Sequence, residues 1–497
     1  MKKSTLILFL FLITKLTFGQ EIENRLNGID QEIETLRNSY KAVGLSVSIV
    51  QNDKVIYSRG FGYRNLEEKL PATENTVFPI GSATKAFTAS LLGILESKDK
   101  ISLRERPAIY IPKLQFYNNK MNDLIKIEDL LSHKSGLGSL DGSLILFPEN
   151  NKLKTIERLK YLKPNGEIND SWIYSNMGYT IAGTIIEQVT NESWDKNVKS
   201  KIFSPLKMNH SFTDLKEMKN SNNFSYGYGM SDGKTEKVLY EDYYSYSPAG
   251  AIKSTSNDMA NWTLTWLNNG QFDKQQVIPE NYVKNATSIH NIRPQDSADS
   301  NAYLFGDGFG WRVQSFKGHY KINHGGNTSG FSSQVVIYPN DKLGIVVLTN
   351  QQNSILPYII ADAITNRMLD LPKTELNQYP IIVNDINKID TEIKGLNKDK
   401  ISTHKLSEFC GKYSNKGYGT FEIIQENNSL FITFPTFKFR LEHLYYDIFV
   451  MKQINDIPQV MNPEFALNFL TGNNGNISAT KIKLQSKPVE FIKHTEE

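Results

Sequence analysis

Residues 79–96 read PIGSATKAFTASLLGILE, a turn running into a helix whose opening residues carry chemistry. From Ser82 to Glu96 the apolar residues Ala86, Phe87, Ala89, Leu91, Leu92, Ile94 and Leu95 fall nearly all round the helical wheel. A helix apolar on every side belongs in an interior. Its first turn carries Ser82 and Lys85, three residues apart and so on one face, where the amine can reach the hydroxyl. A serine is a poor nucleophile until a base takes its proton, and a lysine desolvated near the positive end of a helix has its charged form disfavoured. Free N–H groups at the helix start would face whatever sits on Ser82, which is half of an oxyanion hole. The plainer reading is a helix N-cap serine beside a solvated lysine. Ser-x-x-Lys is a short pattern, repeated by Ser97 with Lys100, Ser193 with Lys196 and Ser231 with Lys234. Ser478-Ala479-Thr480-Lys481 even copies the tetrapeptide, but in an alternating run, where residues three apart face opposite sides of a strand.

Outward from this helix the periodicity changes. Upstream, Ile22, Leu26, Ile29, Ile33 and Leu36 predict an amphipathic helix over 22–36. Leu45, Val47 and Ile49 then alternate with Ser46 and Ser48, turn at Asn52-Asp53 and resume at Val55 and Tyr57, as a β-hairpin does. Far downstream, Val335 to Ile337, Asn340-Asp341 and Leu343 to Leu348 predict a second hairpin, followed by a helix from about Ile359 to Leu369. Strands at both ends bracket a helical middle, which predicts one antiparallel sheet from early and late strands, flanked by helices, rather than repeated β-α-β units. Pro372 to Lys400 reads as a connector. Beyond it, Phe421, Ile423, Leu430, Ile432, Phe449, Leu467, Phe469, Ile482 and Leu484 lie in short alternating runs broken by turn residues, which predicts a small all-β sandwich or barrel.

The bulk composition agrees with two packed domains. The chain has 497 residues, 39% of them apolar, and its 56 basic and 53 acidic residues leave a net charge of +3 without a basic cluster. No nucleic-acid partner is expected. Lys2 and Lys3 precede an apolar run from Leu6 to Ile13, and Gly19 offers a small residue at a cleavage point, so residues 1–19 read as a signal peptide. An uncleaved anchor is the alternative, but the run is short and Lys15 interrupts it, so no stable membrane span is expected after cleavage. A periplasmic or secreted protein follows from that reading. The expected domains are then 1–19, 20–371, a linker at 372–400, and 401–497. Cys410, the sole cysteine, excludes an intramolecular disulfide and reads as a small buried apolar side chain rather than a nucleophile.

Two further stretches carry candidate chemistry. Tyr174-Ser175-Asn176 lies between Trp172-Ile173 and the apolar run Ile181, Ala182, Ile185 and Ile186, in a loop entering a helix. Tyr174 could relay protons as a phenolate, and the Asn176 amide could bond Lys85 and a substrate carbonyl. A tyrosine in a polar loop is also an ordinary surface residue, and Tyr413-Ser414-Asn415 copies the tripeptide. His324-Gly325-Gly326-Asn327 precedes the second hairpin, where two glycines allow a close approach. The Asn327 N–H could supply the second oxyanion donor, with the His324 ring neutral or cationic, although a glycine-rich turn with a bystander histidine fits too.

Taken in order, Ser82-x-x-Lys85, Tyr174-x-Asn176 and His324-Gly325-Gly326 resemble the motifs of class C β-lactamases and penicillin-binding serine hydrolases. Leu130 to Leu137, Ser247-Pro248-Ala249-Gly250 with Ser254-Thr255 and Asp258-Met259, and Phe309-Gly310-Trp311 are similar to that family as well, over about residues 40 to 370. The resemblance implies a β-lactamase/transpeptidase-like α+β sandwich with an added all-helical subdomain. It implies an acyl-enzyme on Ser82, with Lys85 and Tyr174 as general base and acid and no cofactor. The trailing region, with Gly417-Tyr418-Gly419, resembles the lipocalin-like barrel appended to some members. At the third motif His324-Gly325 stands where β-lactamases have Lys-Thr, which removes a cation and a hydroxyl that hold a substrate carboxylate. The substrate expected is therefore a small ester, peptide or β-lactam-like molecule, with esterase or D-peptide hydrolysis ahead of efficient β-lactamase action. No Gly-x-Ser-x-Gly elbow and no His-Glu-x-x-His occurs, so α/β-hydrolase and zinc chemistry are not expected. The competing class is a binding or sensor protein whose serine is acylated without turnover.

Overall fold

The computed structural model describes residues 22–231, 233–242, 244–293, 302–379, 400–454, 465–485 and 487–494. The signal peptide expected over 1–19 lies outside them, as does most of the linker expected over 372–400. The opening stripe is cut in two. Residues 22–26 form a helical turn, Gly28 takes a left-handed φ of 73°, and the helix resumes as α1, Ile29–Ser39, burying Ile29, Ile33 and Leu36.

The first hairpin pairs β1 (Gly44–Gln51) with β2 (Lys54–Asn65) around Asn52, whose φ of 56° suits a tight turn. β3 (Leu70–Pro71) lines the edge. The late strands are β4 (Asn291–Ile292), β5 (Ala302–Asp307), β6 (Arg312–Phe316), β7 (His319–Thr328), β8 (Phe331–Tyr338) and β9 (Leu343–Thr349). Together they form one nine-stranded antiparallel sheet in the order β4-β5-β6-β7-β8-β9-β1-β2-β3, so early and late strands meet where β1 pairs with β9.

Both faces of this sheet are covered. Leu45, Val47 and Ile49 pack with Val336, Ile345 and Val347 beneath α1 and the helix Leu356–Met368. Ser46 and Ser48, which alternate with them, are fully buried on the other side. Their small side chains let the helix Ser256–Leu267 lie close on that face, with Val346 and Leu348 beside it. The helical middle packs there around α2 (Thr84–Glu96), all of whose residues from Thr84 to Leu95 are buried, and α3 (Asn176–Thr190).

The C-terminal region closes into an eight-stranded antiparallel barrel. Its strands are β10 (Gly411–Asn415), β11 (Gly419–Glu426), β12 (Ser429–Thr433), β13 (Lys438–Tyr445), β14 (Ile448–Gln453), β15 (Ala466–Thr471), β16 (Ile477–Ile482) and β17 (Val489–Lys493), with β17 returning to β10. Phe409, Tyr413, Phe421, Phe449, Phe469 and Phe491 are buried and contact one another, so rings fill the barrel. Both copied motifs sit in strands here. Lys481 of the Ser478 copy pairs with Glu490, and Tyr413 of the tripeptide copy is buried and donates to Phe409 O. The barrel's core is continuous with that of the sheet-and-helix half, joined at Phe147. Among the described residues no helix is long and apolar enough to cross a membrane.

Candidate active site

Ser82 lies in a 3-10 turn, Gly81–Ala83, that runs directly into α2. It is half-buried, whereas Lys85, one turn on, is completely buried. Gly81 has a φ of 52°, and a Cβ there would lie 2.9 Å from the backbone nitrogen of Asn327. A Cβ on Gly326 would meet the carbonyl oxygen of Ile80 and lie 2.8 Å from the Ser82 nitrogen. Two glycines therefore let strand β7 touch the serine turn, as the His324-Gly325-Gly326-Asn327 pattern leads one to expect, and they bring the Asn327 and Ser82 backbone nitrogens to one place.

Lys85 Nζ stands 3.1 Å from Ser82 Oγ, 2.7 Å from Asn176 Oδ1 and 2.9 Å from Ala249 O. Ala249 belongs to the Ser247–Gly250 turn, to which α2 is tied again by Thr88 Oγ1 donating to Pro248 O at 2.7 Å. Burial, chiefly, pulls the Lys85 amine down to about 7; the Asp141 carboxylate opposes this and the Arg312 cation adds to it. An ammonium would spend its three hydrogens on these three oxygens. The neutral amine has two, which the Asn176 and Ala249 carbonyl oxygens can take, leaving its lone pair toward the Ser82 hydroxyl.

Tyr174 donates to Ser82 Oγ at 2.8 Å. Its loop enters α3 through Ser175, whose Oγ caps the helix by accepting from Gly178 N at 3.0 Å. His133 braces the loop from below: its Nδ1 accepts from Ser175 N at 3.2 Å and its ring lies 4.5 Å from that of Tyr174. Burial raises the Tyr174 phenol above its ordinary value. A standing phenolate is thus disfavoured, and Tyr174 rests as a neutral donor to Ser82. Asn176 makes a bond that the sequence did not announce. Its oxygen accepts from Lys85 as anticipated, and one hydrogen of its nitrogen goes to Asp141 Oδ1 at 2.7 Å, which leaves the second N–H for a further partner.

His324 is buried, its Nδ1 2.6 Å from Gly325 O. Burial, then the charges of Arg312 and Lys85, push its pKa well below the usual histidine value, which favours the neutral ring of the two states anticipated. Arg312, whose Cα partners in the sheet are Asp307 and Asn323, casts positive potential on Lys85, His133, His324 and Tyr174. A cation therefore does act on this cleft, from a position other than 324. The candidates from all three motifs, Ser82, Lys85, Tyr174, Asn176, His324, Gly325, Gly326 and Asn327, converge. Asp141, His133, Ala249 and Arg312 join them unforeseen. His133 and Ala249 sat inside stretches already noted for family resemblance, and Asp141 follows one of them.

Residues 29–363 match the family model described as Beta-lactamase, and residues 397–494 match one described as Domain of unknown function (DUF3471). The chain is 28% identical over 363 residues to Protein flp of Staphylococcus aureus (strain N315), covering 71% of this chain and 69% of that one. It is 24% identical over 350 residues to Penicillin-binding protein 4* of Bacillus subtilis (strain 168), covering 66% and 73% respectively. Among solved structures, the octameric penicillin-binding protein homologue from Pyrococcus abyssi superposes with a TM-score of 0.60 at 21% identity, over 94% of this chain and 100% of that one, a likeness of fold.

Proposed function

The chain belongs to the Beta-lactamase family of serine hydrolases and penicillin-binding proteins, and we propose that it is an exported hydrolase cleaving an ester or amide through an acyl group on Ser82. The carrying observation is Lys85 Nζ, buried and 3.1 Å from Ser82 Oγ, with two carbonyl oxygens to take its hydrogens. In the proposed reaction the Ser82 hydroxyl passes its proton to neutral Lys85 while Oγ bonds to the carbonyl carbon. The oxyanion forms beside the Ser82 and Asn327 backbone N–H groups. As the carbon-to-leaving-group bond breaks, Tyr174 donates a proton to the leaving group and is reprotonated by Lys85. Water then attacks the acyl carbon, giving up a proton to the same pair, and Ser82 leaves with its hydroxyl restored.

Esters and D-amino-acid or peptide amides are favoured over β-lactams, because His324 and Gly325 offer a neutral ring and no hydroxyl for a substrate carboxylate. Export rests on the Lys2 to Gly19 segment. The test is steady-state hydrolysis of p-nitrophenyl esters, D-amino-acid amides and nitrocefin. Ser82→Ala is expected to lower kcat by a factor on the order of 10³ or more on whichever substrate turns over. Full activity in that variant would refute the assignment, and a one-equivalent burst without turnover would replace hydrolysis by acyl capture.

A further inference from the structure

Asp141 is tied to the site through Asn176, so its own placement needs a cause. It sits just before a single π-helical turn, Gly142–Leu146, and its Oδ1 accepts from the Asn176 amide whose oxygen binds Lys85. That turn is gripped from outside the catalytic half. Ser143 Oγ donates to Gly417 O at 3.1 Å, and Thr436 Oγ1 donates to Ile145 O at 3.3 Å, both across to the barrel. At its end the Phe147 ring enters the barrel's aromatic cluster, with centroids 5.4 Å from Phe434, 5.9 Å from Phe491 and 6.3 Å from Tyr418. Phe491 is one of the rings that fill the barrel interior, so Phe147 ties the turn directly to the barrel core.

We infer that the C-terminal barrel is a positioning element for the catalytic lysine: by clamping the Leu140–Phe147 turn it holds Asp141 on Asn176, and through Asn176 it holds Lys85 on Ser82. The inference rests on the reading of Lys85 as general base. Asp141, Phe147 and Ser143 are positioning residues here, since none touches the reacting atoms. The relay also has an electrostatic side. The groups facing the Lys85 amine are Tyr174 from the loop before α3 and Tyr179 from α3, with His133, His324, Arg312 and Asp141 around them and Tyr246 reaching Ser82. Of these Asp141 is the anion that favours the protonated amine. If the clamp loosens and Asp141 withdraws, the amine stays neutral to lower pH, and the acid limb of kcat/KM moves down.

The test is the pH profile of kcat/KM on a p-nitrophenyl ester for the full-length protein. Asp141→Asn is expected to move the acid limb down by on the order of one pH unit. Phe147→Ala should move it in the same direction, and Phe147→Leu and Ser143→Ala by less. Phe449→Leu, in the barrel core away from the clamp, should lower the melting temperature and leave the limb in place. Should Phe147→Ala fold poorly, Phe147→Leu and Ser143→Ala decide. Folded clamp variants with the wild-type limb, beside a shifted Asp141→Asn, would overturn the barrel's role alone. An unmoved limb in Asp141→Asn would instead overturn the reading of Lys85 as base.

Discussion

Around Ser82 Oγ two side chains compete for roles, and their environments separate them. Lys85 is brought to about 7 by burial, so its neutral form is available as a base, while the same desolvation pushes the Tyr174 phenol up and keeps its proton on. Two titratable groups driven apart in this way divide acid from base. Tyr174→Phe removes the donor at 2.8 Å yet leaves the ring packed on His133 and Trp172. The expected outcome is a kcat loss of roughly 10² to 10⁴, with KM and melting temperature little changed. A variant within a few-fold of wild type would show that the proton travels by another path. At this scale the Ser82 and Lys85 pair was legible in the sequence because both lie within one helical turn. Asp141 was not, because its bond to Asn176 spans 35 residues and nothing local marks it. Ala249 contributes a backbone oxygen, which no side-chain pattern announces.

At the scale of elements, the site depends on strand β7 lying against the turn that carries Ser82. The glycines of His324-Gly325-Gly326 were expected to allow a close approach, and the contact at Ile80 and Ser82 is what they allow. Gly326→Ala must push β7 away from the turn, separating the Asn327 nitrogen from the Ser82 nitrogen. We expect kcat to fall by about 10² or more, as when an oxyanion donor is lost, while the second core beneath α1 keeps the sheet folded. Unchanged kcat in Gly326→Ala would show that this contact does not shape the site. The hairpins and α2 were readable from periodicity. The burial of Ser46 and Ser48 was not, since alternation reports the face of a strand but not whether a helix will cover its polar side. Likewise the helix stripe over 22–36 concealed a break that only the left-handed turn at Gly28 reveals.

For the molecule as a whole, the two halves share one apolar core. The alternating runs beyond Lys400 were read as a unit with its own core, and they do close into a barrel, but contacts such as Ser143 with Gly417 join residues 274 apart and lie beyond local pattern. A ring buried as Phe147 is contributes about 3 to 5 kcal/mol, enough to couple the unfolding of both halves. Calorimetry should therefore show one cooperative transition for the full chain, and two separated transitions would argue for independent halves. The central claim, a serine made reactive by a neutral buried lysine, is tested most directly by following phosphonylation of the intact protein with a fluorophosphonate by mass across pH. The account predicts a single adduct per chain, mapped to Ser82, forming about tenfold faster per pH unit below about 7 and levelling off above it. An adduct on any other residue, or a rate that passes through that range without inflection, would contradict it.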